Sequence, residues 1–72
     1  NKIDEIIKAH IYPDGSLMID WTAKDRLIGT MKLEIEDYLI DVIKREYGVP
    51  LTFDDMDSII DRSVDVATKW FQ

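Results

Sequence analysis

A chain of 72 residues without a cysteine has room for one domain and no means of holding it with disulfides or a thiolate metal site. Its hydrophobic content of 46% is too high for a disordered tail, no apolar run reaches the roughly 20 residues of a membrane span, and no signal peptide is visible. A net charge of -6 argues against a free-standing nucleic-acid binder, whose affinity comes largely from neutralising phosphates.

Ile3, Ile6, Ile7 and His10 fall at i, i+3, i+4 and i+7, one face of a helix. Asp4 and Glu5 suit the positive end of a first turn. The spacing predicts a short first helix over 2–10.

The segment IYPDGSLMID follows. Pro13-Asp14-Gly15 is turn chemistry, because proline presets φ, aspartate tolerates the bend and glycine takes positive φ. Ile11-Tyr12 and Leu17-Met18-Ile19 have the composition to pair as a hairpin. A lone two-stranded ribbon is marginal in water, which favours an extended loop pinned by its apolar side chains.

Trp21 stands just ahead of a long run of helix formers. Thr22-Ala23-Lys24-Asp25 has the form of a capping box, with a hydroxyl at the cap and a carboxylate three residues on, aspartate being shorter than the usual glutamate. Thr22 is therefore expected to cap the second helix. Trp21 is expected to close the end of the core and fix the entry angle, with Arg26 placed to stack on its indole. The helix should run over 23–47, a rod of about 37 Å at 1.5 Å per residue. Lys44 and Arg45 suit its negative end. Gly48 is the stop and Pro50 prevents continuation. Gly29 inside it costs about 1 kcal/mol against alanine, and would allow a close backbone approach or a kink.

Thr52, with Asp55 three residues later, starts a third helix that runs at least to Trp70. The short GVPLT connection predicts antiparallel packing of the second and third helices. The expected architecture is all-α: a small three-helix domain with an antiparallel helical hairpin and an extended or hairpin-like loop between helices one and two. Asn1 in place of a methionine, and a helical pattern running to the last residue, lead to the expectation that 1–72 is a single helical domain excised from a longer protein.

At about 100° per residue the third helix divides into two sides. Phe53, Met56, Ile59, Ile60, Val64, Ala67, Trp70 and Phe71 share one; Asp54, Asp57, Asp61, Asp65, Thr68 and Lys69 share the other. On the second helix Leu27, Ile28, Met31, Ile35, Tyr38, Leu39 and Val42 form the main stripe. Leu33, Ile40 and Tyr47 are spaced by seven outside it. This second seam has two readings. Either the first helix or the 11–19 segment covers it, or it is a docking surface for a parent protein or partner subunit.

Chemistry is conspicuous by the patterns that fail. None of the three glycines has the context of a phosphate-binding loop. No aspartate or glutamate has a lysine two residues on, which a common nuclease arrangement requires. Read as a calcium loop from Asp55, FDDMDS puts Ile60 at position six and Val66 at position twelve, where glycine and glutamate belong. It is better read as an acidic helix start. His10 is the single histidine, a poor basis for a transition-metal site. The serines have no histidine at a recognisable spacing. Tyr12, Tyr38 and Tyr47 lack the interleaved basic residues of a base-stacking platform. The expectation is a chain with no catalytic residue, no cofactor and no metal of its own.

The order of features carries a resemblance. IDWT at 19–22 starts the long helix, Tyr38-Leu39 lies within it, YGVP at 47–50 ends it, and an amphipathic helix follows. This is similar to the C-terminal helical region of the restriction (R) subunit of type I restriction-modification enzymes, which carries a valine or isoleucine, then Asp-Trp, then a helix ending in Tyr-Gly-x-Pro and a last helix. The similarity covers about 6–66, most of the chain, through short motifs. It implies a cytoplasmic parent that is an ATP-dependent DNA translocase and site-specific deoxyribonuclease. ATP and magnesium would be used in other domains. The partners would be the rest of the R subunit, the methyltransferase and specificity subunits, and DNA only through the whole complex. The family often has arginine and lysine on this helix, whereas this chain has Glu34, Glu36, Asp37 and Asp41. That departure disfavours direct contact with DNA. Asp20 and Trp21 match the motif, and for Trp21 only a structural role is carried over. The alternative is a free-standing acidic adaptor that forms a homodimer through the second helix; a third reading is an accessory DNA-binding module.

Overall fold

The computed structural model describes residues 1–46 and 51–71. It is all-α, with three helices and no strand among the described residues. Helix α1 spans Lys2–Ile11, a single 3-10 turn spans Trp21–Ala23, α2 spans Asp25–Arg45 and α3 spans Phe53–Trp70.

Asn1 caps α1, its side-chain oxygen accepting from the Asp4 N–H at 3.0 Å. Asp4 and Glu5 lie in the first turn, Lys8 and His10 in the last, each with the sign that the helix dipole favours. The inward face is Ile6, Ile7 and Ile11, all buried.

The segment after α1 is a loop. Met18 N–H donates to the Ile11 carbonyl at 2.8 Å and Gly15 N–H to that of Tyr12 at 3.4 Å, which makes a turn rather than a ladder. Gly15 takes φ of 87°, the region that glycine enters without steric cost. Tyr12, Leu17 and Met18 pack against the core and pin the loop from inside.

The start of α2 differs from the sequence expectation. Thr22 is not its cap. Asp20 adopts a left-handed conformation, with φ of 56°. The Ala23 and Lys24 N–H groups then bond to the carbonyls of Asp20 and Trp21, both at 3.0 Å, closing a 3-10 turn. Helix α2 begins at Asp25, with Lys24 at its cap position and no side-chain cap bond. Thr22 is exposed. The reason lies one residue earlier. Trp21 is 2% exposed, and its indole N–H donates to the Phe71 carbonyl. By area, burying an indole is worth about 4–6 kcal/mol, against about 1 kcal/mol for a threonine cap. The backbone follows the indole. Trp21 does close the core, but Arg26 is exposed and does not stack on it. The cation–π contact among the described residues is instead Lys8 Nζ, 5.5 Å from the Phe71 ring centroid.

Helix α3 starts as its sequence predicts. The Asp55 N–H donates to Thr52 Oγ1 and the Thr52 N–H to Asp55 Oδ2, each at 3.1 Å, a reciprocal capping box. Ile40 and Ile43 lie beside Phe53 and Met56, Lys32 pairs with Asp61 at 3.2 Å, and Trp21 reaches Phe71. The contacts advance in opposite senses along α2 and α3. Helix α2 ends at Arg45, short of the expected 47, with Glu46 extended at its cap; Gly48 and Pro50, the expected stop, lie outside the described residues.

The core is one cluster: Ile6, Ile7 and Ile11 from α1, Trp21, then Met31, Ile35 and Leu39 from α2, and Met56, Ile60, Val64 and Ala67 from α3. Helix α1 touches both longer helices. A Cβ at Gly29 would meet nothing within 4 Å, so no backbone makes a close approach there. Two members of the expected α3 stripe are not inside: Phe53 is 73% and Trp70 77% exposed. At 1.5 Å per residue α1 is about 15 Å long and α3 about 27 Å, so α1 cannot cover both ends of α3. At the far end Phe71 takes the inward place, its ring edge-on to Tyr12 with centroids 6.3 Å apart, and Trp70 is left outside.

Candidate docking surface

Leu33 and Ile40 are seven residues apart on α2, two turns along the helix side that faces away from Met31, Ile35 and Leu39. Their surroundings differ. Leu33 is 63% exposed, so neither α1 nor the 11–19 loop covers it. Ile40 is half-buried and packs against the edge of the core. Ile40 is partly spent on the fold, because the start of α3 lies beside it. Tyr47, the third expected docking residue, lies outside the described residues.

Ile40 leads into an apolar groove. Ile43, Lys44, Leu51, Thr52, Phe53 and Met56 complete its lining, and its volume is about 480 Å³. The exposed ring of Phe53 stands at its rim. Leu33 stands two turns before this groove on α2, with the acidic Glu36 and Asp37 on the turn between it and Ile40. Sequence reading missed Phe53 as a surface residue. The signal was its position as the first residue after the Thr52 cap, where a helix end outruns its neighbours.

A second concave surface lies between α1 and α2. Lys2, Glu5, Ile6 and Ala9 form one wall, and Glu34, Asp37, Tyr38 and Asp41 the other, around about 550 Å³. Near it His10 Nε2 meets Glu34 Oε2 at 2.7 Å. The His10 side chain is 20% exposed, so the single histidine serves as a polar link between α1 and α2. At the far end Asp41 binds Arg45 one turn on. The hydrogen bond and charge of the Asp41 carboxylate raise the Arg45 pKa above its ordinary value.

Among the described residues no group of three or more His, Cys, Asp or Glu side chains is arranged to hold a metal ion. No helix among them is long and apolar enough to cross a membrane. Tyr12 and Tyr38 are half-buried and pack against the core. No family model, curated protein or solved structure matches the chain.

Proposed function

We propose that the chain is a non-catalytic assembly domain, equivalent to the C-terminal helical region of a type I restriction R subunit. It braces that subunit or docks it on the methyltransferase and specificity subunits. The motif order IDWT, YL, YGVP supports the family assignment. The observation that carries the docking role is the apolar groove from Ile40 to Phe53, with the Phe53 ring largely in water and Leu33 exposed two turns along α2. Exposed apolar patches rimmed by polar residues mark interaction sites. In this reading DNA is met only through the whole complex, ATP and magnesium are used in other domains, and the setting is the cytoplasm. The acidic α2 residues Glu34, Glu36, Asp37 and Asp41 suit a protein partner or solvent better than phosphate.

Reading the gene on either side of these codons tests the assignment. Helicase and nuclease motifs in the same frame, with methyltransferase and specificity genes adjacent, are the expected result. A frame with no motor gives the lead to the second reading, an acidic adaptor that dimerises through α2. That dimer would pair the same surface of two copies across a two-fold axis. Sedimentation at high concentration separates them: the adaptor is a dimer.

A further inference from the structure

We infer that the trough between α1 and α2 receives a basic amphipathic helix from a protein partner. This inference does not rest on the restriction-subunit reading; it depends on the trough alone. Lys2, Glu5, Ile6 and Ala9 are one i, i+3, i+4, i+7 ridge of α1, and Glu34, Asp37, Tyr38 and Asp41 are the matching ridge of α2. Each ridge spans eight residues, about 10 Å from first to last, the length of one i, i+3, i+4, i+7 anchor set on an incoming helix. Ile6 and the half-buried Tyr38 supply an apolar floor, and the exposed methyl of Ala9 leaves a low point between them.

The rim chooses the occupant. It carries four carboxylates and one ammonium, Lys2; Glu5 is paired with Lys2, Glu34 with His10 and Asp41 with Arg45. Lys2 is held to Glu5 at only 3.8 Å, with both side chains more than half exposed. Such a pair contributes little and exchanges readily. Asp37 makes no ion pair among the described residues. The charge complement of this rim is lysine and arginine, flanking apolar residues that reach Ile6 and Tyr38. Phosphate-bearing partners are repelled by the same rim. The Ile40–Phe53 groove is different in kind, with Lys44 its single charged lining residue.

The test is titration of the folded chain with a labelled leucine–lysine amphipathic peptide, and with its leucine–glutamate counterpart. The lysine peptide is expected to bind and the glutamate peptide not to. Asp37→Lys with Asp41→Lys should weaken binding about tenfold or more, because like charges then face each other across the interface. Asp57→Lys with Asp65→Lys makes the same change of net charge on α3, at exposed positions that do not line the trough. It should change affinity less than about twofold, the exposed charges being screened. Circular dichroism establishes that both variants are folded. Equal losses in the two double variants would mean that binding follows net charge alone and would overturn the inference. Equal binding of the two peptides, or no binding of the lysine peptide at low salt, would overturn it too.

Discussion

The indole N–H of Trp21 donates to the main-chain carbonyl of Phe71 at 2.5 Å, fifty residues along the chain. One bond thus ties the entry of α2 to the exit of α3, inside a site where the indole is 2% exposed. Trp21→Ala removes the bond and opens a cavity, and should cost about 3–5 kcal/mol. Trp21→Phe keeps most of the apolar volume but leaves the Phe71 carbonyl without this donor, at a cost of about 1–3 kcal/mol. Urea titration measures both, and the order Ala worse than Phe is the required result.

The two threonines that look alike in sequence should behave differently. Thr52 accepts from the Asp55 N–H, so Thr52→Ala should cost about 1 kcal/mol. Thr22 is exposed and makes no cap bond, so Thr22→Ala should stay within about 0.5 kcal/mol of the parent. Thermal or urea unfolding of the pair checks this. Equal losses would return Thr22 to the role of a cap.

Two glycines should respond to alanine with opposite sign. Gly15 sits at φ of 87°, where a Cβ is strained, and Gly15→Ala should destabilise by about 1–2 kcal/mol. Gly29 lies inside α2 with open space around it, and Gly29→Ala should stabilise by up to about 1 kcal/mol. The midpoints of denaturant unfolding give both signs directly.

The apolar side chains of α2 and α3 divide into surface and core. Leu33→Asp and Phe53→Asp alter side chains that are 63% and 73% exposed, and each should leave stability within about 0.5 kcal/mol. Ile35→Asp, at a residue of 0% exposure, leaves a carboxylate unpaired in the core and should unfold the domain. Ile40→Asp falls between them, because Ile40 also packs on the core. It is therefore a poorer probe of docking than Leu33 or Phe53. Circular dichroism across this series reads the order.

The three helices were legible because apolar spacing and caps are local signals. The isoleucines of α1, the 31/35/39 repeat of α2 and the Thr52–Asp55 box each specify their element within a few residues. The start of α2 was not legible, because a contact fifty residues away outweighs a local cap. The exposure of Phe53 and Trp70 was not legible for a related reason. A helical wheel gives the angle of a side chain but not the length of the neighbour that covers it: α1 does not extend to Phe53, and at the other end Phe71, against Tyr12 and Lys8, takes the inward place instead of Trp70. Leu33 and Ile40 share a spacing, and only the position of α3 beside Ile40 distinguishes them. The acidic trough needed the pairing of α1 with α2, since neither ridge is remarkable alone.

The most direct test of the proposed assembly role is the yield of complex that the proposed R subunit forms with the methyltransferase and specificity subunits of its system when Leu33→Asp and Phe53→Asp are introduced together. The account predicts a folded domain and a clear loss of complex, read by size-exclusion chromatography with light scattering. Complex formed in undiminished yield by the folded double variant would contradict it.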